Sequence, residues 1–253
     1  MSLTMPIFLC LLASARGLAS CSDFNRPAPE SASAVRARIL IVVGGHEFDT
    51  AGFAAMFQKM AGISNEVVWF GQGAEHRLTA RGARDFDAIV FYDMHQHPEP
   101  HWTGMLQLLK QGKGMVFLHH SLWSYDGSWN DYKRIVGGRA SSKEKVVPGP
   151  SPTSTYQHDE HLHVHVADPS SPITRGLEDF DITDETYNHY WVDPEVHVLL
   201  TTNSPTSEHI IGWSHQYEKS HIVFIELGHG PTAYENPNYI ALVRAAILWV
   251  AGK

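Results

Sequence analysis

Residues 38–43 read RILIVV, an unbroken apolar and largely β-branched run followed at once by Gly44-Gly45-His46-Glu47. A strand with one wet face alternates polar and apolar residues. A run with no polar position inside it marks a strand covered on both faces, as in a parallel sheet. Three similar runs follow at residues 66–70 (EVVWF), 88–92 (AIVFY) and 115–118 (MVFL). Between them, Asp49 is placed to cap a helix whose apolar positions Phe53, Met56, Phe57 and Met60 share one face. Trp102, Met105, Leu106 and Leu109 repeat that spacing before Gly112. Short buried strands alternating with amphipathic helices predict an α/β domain built from right-handed crossovers. The second half is less regular. Residues 196–201, 210–213 and 222–225 read as strands, and Asn236-Pro237 opens a last helix with Tyr239, Leu242, Val243, Ala246, Ile247 and Val250 on one face. Residues 137–155, rich in Gly, Pro and Ser, read as a long functional loop over the sheet.

The chain has 253 residues, 19 basic and 27 acidic, for a formal net charge of −8. An acidic balance argues against nucleic acid as a partner, because sequence-independent attraction to phosphates needs a basic surface. No apolar run reaches the roughly 20 residues of a membrane-spanning helix. Residues 6–15 (PIFLCLLASA) instead suit the core of an export leader. Ala13-Ser14-Ala15 is a small-x-small cleavage pattern, and Leu18-Ala19-Ser20-Cys21 is similar to a lipobox whose Cys21 would be acylated. The organisation expected is a leader over 1–21, a disordered Pro/Ala/Ser linker over 22–36 and one domain over 37–253. Export to the periplasm or outer surface follows, with membrane contact only through a lipid anchor. Only two cysteines are present, Cys10 and Cys21, so the folded part has no thiol for a disulfide, a thiolate zinc site or a nucleophile.

The 17 histidines are the unusual count. In an open parallel sheet, ligands bind beyond the carboxyl ends of the strands. Those ends carry Gly44-Gly45-His46-Glu47, then Asp93 and His95, then His119-His120-Ser121, and lastly Gly228-His229-Gly230. Consecutive His119 and His120 face opposite ways on an extended segment, so both reach a pocket only if the chain turns there. His229 between glycines is either a presented side chain or a plain turn. His161, His163 and His165 alternate with aliphatics, which gives a metal rake or, better, a solvent-facing strand edge. Asp184-Glu185-Thr186-Tyr187 offers a carboxylate as base, ligand or turn cap. No G-x-S-x-G elbow, P-loop or G-x-G-x-x-G follows a strand, so no nucleotide cofactor is expected. Histidine and carboxylate without cysteine leave acid–base catalysis, with or without a divalent ion such as Zn or Mn.

The segments ILIVVGGHEFD, FDAIVFYDM, GKGMVFLHHSLWSY, NDYKRIVGGR, ITDETY, ELGHG and YENPNYIALVRAAILWV, in that order, resemble the trehalose-utilization (ThuA-like) family from about Ile39 to Gly252. The resemblance implies a flavodoxin-like, class I glutamine amidotransferase-like fold, with a mostly parallel sheet and helices on both faces. His119-His120-Ser121 stands where amidotransferases carry their nucleophilic Cys, so glutaminase chemistry is not implied. The family's association with sugar catabolism implies a small-molecule sugar as partner. The expected activity is elimination or hydrolysis of glycosides or 3-keto-glycosides. His120, His229 and Glu185 are the expected catalytic residues, and His46, Asp93, His119, Tyr187 and Trp123 the substrate-binding ones. Trp129 and Trp191 offer further faces for a sugar ring. A metal would sit on His46, His120 and His229. The alternative is a non-catalytic carbohydrate-binding or accessory protein that kept the fold and lost the nucleophile.

Overall fold

The computed structural model describes residues 34–253 apart from 96–100, 127, 128 and 130. The expected leader, its Cys21 and most of the linker lie outside the described residues. The chain runs β1 (Ala37–Gly44), α1 (Thr50–Gln58), β2 (Ile63–Trp69), α2 (Ala74–Arg77), β3 (Ala88–Asp93), α3 (His101–Gln111) and β4 (Gly114–Leu118). A 3₁₀ turn, His119–Trp123, leads to α4 (Tyr132–Val136) and β5 (Gly138–Arg139). Then come β6 (Thr155–Val166), β7 (Phe180–Asn188), β8 (Trp191–Val192), β9 (His197–Thr202), β10 (Ile210–Tyr217), β11 (Ser220–Ile225), α5 (Pro231–Glu235) and α6 (Pro237–Val250).

Nine strands form one sheet in the order β2-β1-β3-β4-β11-β10-β9-β6-β7. The first five are parallel and the rest antiparallel, so the sheet is α/β and mixed. Covering on both faces is visible in β1 itself. Ile39, Ile41 and Val43 enter the core under α1, α5 and α6, while Leu40 and Val42 enter the one under α2 and α3. The caps act as the sequence implies: Asp49 accepts from Gly52 N, and Asn236 accepts from Asn238 N and Tyr239 N. On β6, Leu162 and Val164 are buried while His161 and His163 are exposed, so the histidine ladder is a solvent face. Among the described residues no helix is long and apolar enough to cross a membrane.

The carboxyl ends of β1, β3, β4 and β11 lie side by side because those strands are neighbours. The β6–β7 hairpin enters the sheet at its far edge, and β7 delivers Glu185 back onto His119 across that carboxyl edge.

A histidine–carboxylate site at the carboxyl edge of the sheet

His119 leaves β4 at φ +49°, a left-handed conformation uncommon for a residue other than glycine. The left-handed turn lets two consecutive histidines face one region. His119 is fully enclosed. Its Nδ1 lies 2.6 Å from the carbonyl oxygen of Glu226, which only accepts, so Nδ1 carries the hydrogen. Its Nε2 meets Glu185 Oε2 at 2.9 Å, His229 Nδ1 at 3.1 Å and the Tyr187 hydroxyl at 2.7 Å. Glu185 Oε2 is also 2.6 Å from His229 Nδ1.

His229 is held from behind. The Asp184 carboxylate accepts from Gly228 N at 2.7 Å, His229 N at 2.9 Å and Glu185 N at 2.9 Å. Gly228 sits at φ +122°, and a Cβ there would overlap the Tyr239 hydroxyl, so glycine is required. Beneath His119, the buried Glu226 carboxyl is bonded to Tyr190 Oη, Tyr187 N and Ser207 Oγ. Desolvation pushes its pKa up to about 8 despite those bonds.

Burial alone would raise the Glu185 pKa, but hydrogen bonds with His119 and His229 outweigh it and the net direction is down. The bond to Glu185 raises the His229 pKa against its own desolvation. Burial, then the charges of Glu185, Glu226 and Asp184, lifts Tyr187 well above the usual phenol range and keeps its hydroxyl a donor. His120 is buried beside Tyr92 and His46, with ring centroids 4.2 and 4.9 Å away. Neither of its ring nitrogens has a hydrogen-bond partner among the described residues, and desolvation, then the neighbouring His119, depresses its pKa.

A cleft of about 210 Å³ opens over these groups, lined by His46, Met94, His120, Trp123, Ser142, Tyr156, His158, Glu185 and Tyr187. It falls below the ~300 Å³ at which drug-sized pockets begin, which suits one small polar ring. A wider groove on the other side of His46 and His158 adds His229 and Pro231. Of the expected site residues, His46, His119, His120, Trp123, Glu185, Tyr187 and His229 therefore gather in one place. Asp93 does not reach the cleft: its carboxylate is enclosed against the Ser121 and Ser124 hydroxyls. Trp129 stacks on Trp102 and Trp191 lies under Lys133, so neither lines the cleft. The expected metal set of His46, His120 and His229 is not the one that converges. The left-handed turn sends His119 toward His229 and leaves His120 against Tyr92, so the converging donors are His119, Glu185 and His229. Tyr156 and His158 join the site with no signature in the sequence, because a bulge between Gln157 and Glu160 decides what that strand presents.

Asp93 makes its own prediction. Desolvation of this fully buried carboxyl raises its pKa to about 7, against the lowering effect of the Ser124 and Ser121 hydroxyls, which are also within reach of the backbone carbonyls Asp93 O and Phe91 O. A raised folded-state pKa favours the protonated fold. The contribution is complete below the ordinary carboxylate value of 3.8 and is lost as pH rises through about 7. Asp93→Asn is expected to flatten the fall in melting temperature across that window and to be the more stable chain at pH 8. Parallel melting curves of variant and parent from pH 4 to 8 check this; identical pH slopes would contradict it.

The model of the family described as ThuA, trehalose utilisation, matches residues 38–250. Among solved structures, the fold is similar to a ThuA-like protein from Parabacteroides merdae, with TM-score 0.70, 16% identity and coverage of 86% of this chain and 91% of that one. A ThuA-like protein from Bacteroides uniformis gives TM-score 0.67 at 18% identity, covering 89% and 95%. A cytoplasmic protein from Salmonella typhimurium gives 0.59 at 10% identity, covering 83% and 98%. Identities this low speak to the fold alone. A search of curated proteins finds no match.

Proposed function

The chain belongs to the trehalose-utilisation (ThuA) family, and on that premise we propose that it is an exported sugar-active enzyme that cleaves glycosides through their 3-keto forms. The observation that carries the reading is the convergence of His119, Glu185 and His229 within 3.1 Å of one another beside a small cleft walled by Trp123, Tyr156 and Tyr187. Aromatic faces suit a sugar ring, and the cluster suits an oxygen that becomes negative.

A carbonyl at C3 acidifies the C2 proton. A base takes that proton, the C2–H electrons form the C1–C2 double bond, and the C1–O electrons leave with the departing oxygen. Water then adds back across the double bond, giving net hydrolysis. His120 suits the base: it lines the cleft, its burial keeps it neutral, and neither ring nitrogen has a hydrogen-bond partner among the described residues. His229, whose Nε2 remains once Nδ1 meets Glu185, is the group placed to donate to the developing enolate oxygen, where a donor already in place lowers the barrier most. His46, its ring 4.9 Å from His120, is the donor to the departing oxygen. The apolar run and lipobox before Cys21 support work outside the cytoplasmic membrane.

The test is turnover of a 3-keto-glycoside beside its parent glycoside. His120→Ala is expected to lower kcat by roughly 10²–10⁴-fold, the range of a general base. Full turnover by a His120→Ala, His229→Ala double variant overturns the mechanism. Saccharide binding with no turnover in the parent chain overturns the enzyme and assigns the accessory, carbohydrate-binding role.

A further inference from the structure

We infer that His119 Nε2, Glu185 Oε2 and His229 Nδ1 form the three-ligand face of a divalent transition-metal site. The claim deepens the reading above but is tested apart from it. While Glu185 is a carboxylate, hydrogens on the two imidazoles cannot satisfy all three contacts of this triangle. With Nδ1–H of His119 committed to the Glu226 carbonyl, Nε2 offers either one lone pair or one hydrogen to three neighbours. If both facing nitrogens carry hydrogens, the 3.1 Å contact between them sets N–H against N–H. If His119 Nε2 is bare, its 2.9 Å contact with Glu185 sets lone pair against lone pair. One cation among the three atoms accepts a pair from each.

The spacing agrees. Two ligand atoms about 2.1 Å from one ion lie about 3 Å apart at the right angle of an octahedral face, the geometry of two histidines and a carboxylate on one side of a metal. The two contacts of His119, at 2.9 and 3.1 Å, fit that figure, and the 2.6 Å pair of Glu185 and His229 needs to open by a few tenths. The outer contacts are those of ligands rather than of a loose pair. His119 gives its second ring nitrogen to a backbone carbonyl, and Asp184 fixes the backbone of both Glu185 and His229. Two imidazoles and one carboxylate on one face leave the opposite positions free for substrate oxygen or water, and the donor set suits a first-row divalent ion. The other group of close donors among the described residues, His163, His165 and Asp179, lies at the surface, where His163 pairs with Asp181 and His165 with Asp179. It is the natural control.

The full chain, purified without a His-tag and stripped with chelator, is titrated with Zn²⁺ and separately with Mn²⁺, reading heat and bound metal by elemental analysis. One Zn²⁺ per chain is expected, bound more tightly than Mn²⁺, with a rise in melting temperature. His229→Gln and Glu185→Gln should each weaken Zn²⁺ binding by roughly 100-fold or more. The His163→Ala, His165→Ala double variant should bind like the parent. The His229 side chain is 32% exposed, so its variant folds even if changes at the enclosed His119 do not. No stoichiometric uptake, or uptake lost in the surface variant and kept in the other two, overturns the site. Uptake without turnover of keto-glycosides leaves the metal site standing and removes the proposed reaction; turnover by a chain that takes up no metal does the reverse.

Discussion

Asp184→Ala is expected to cost on the order of 3–5 kcal/mol, enough to lower the melting temperature by roughly 10 °C. One buried carboxylate satisfies three backbone N–H groups, those of Glu185, Gly228 and His229. Each buried donor left unpaired costs about 1–3 kcal/mol, and partial relaxation keeps the sum below the simple total. Asp184→Asn should fall between the two. Its amide oxygen keeps the pair of bonds made by Oδ1, to Glu185 N and His229 N, while its NH₂ faces the Gly228 N–H that Oδ2 now accepts. Thermal melting of the three chains should therefore rank parent, Asn, Ala. A drop below 1 kcal/mol in the alanine chain would mean the Gly-His-Gly turn holds itself.

The second large effect is on rate. Glu185→Ala should reduce keto-glycoside turnover by roughly 10³-fold with a much smaller change in melting temperature. Glu185 Oε2 meets both His119 and His229, so its removal disperses the cluster, while the sheet beneath rests on apolar contacts Glu185 does not make. Glu185→Gln tests whether charge or shape matters, since the amide keeps an oxygen acceptor but loses the negative charge. A variant retaining a tenth of parental turnover would remove Glu185 from the chemistry and leave it to His46 and His120.

The inner strands of the parallel half, β1, β3 and β4, were legible because burial on both faces leaves no polar position, as in RILIVV and MVFL, whereas β2 is an edge strand with no fully buried residue. The carboxyl-edge rule then pointed at His46, His119, His120 and His229, and all four are there. What stayed hidden is what the strand ends do at atomic scale. Nothing local distinguishes His119 from His120; a single backbone angle of +49° decides which one meets Glu185. Asp93 shares the position of a pocket residue on the end of β3, but the serines of the following turn fold over it. Tyr156 and His158 depend on a bulge and on a hairpin that pairs at the opposite edge of the sheet, neither of which periodicity reports.

That hairpin also sets when the site comes into being. Glu185 is 66 residues from His119 along the chain, and His229 is 110 from it. Contacts of such span form only after long loops have closed, late on any route through a sheet of non-local pairings. A partly folded chain with β1 to β4 in place lacks the His119–Glu185–His229 cluster on which the proposed activity rests. Recovery of activity on refolding should thus track the slowest global phase, making enzymatic rate a direct clock for completion of the fold.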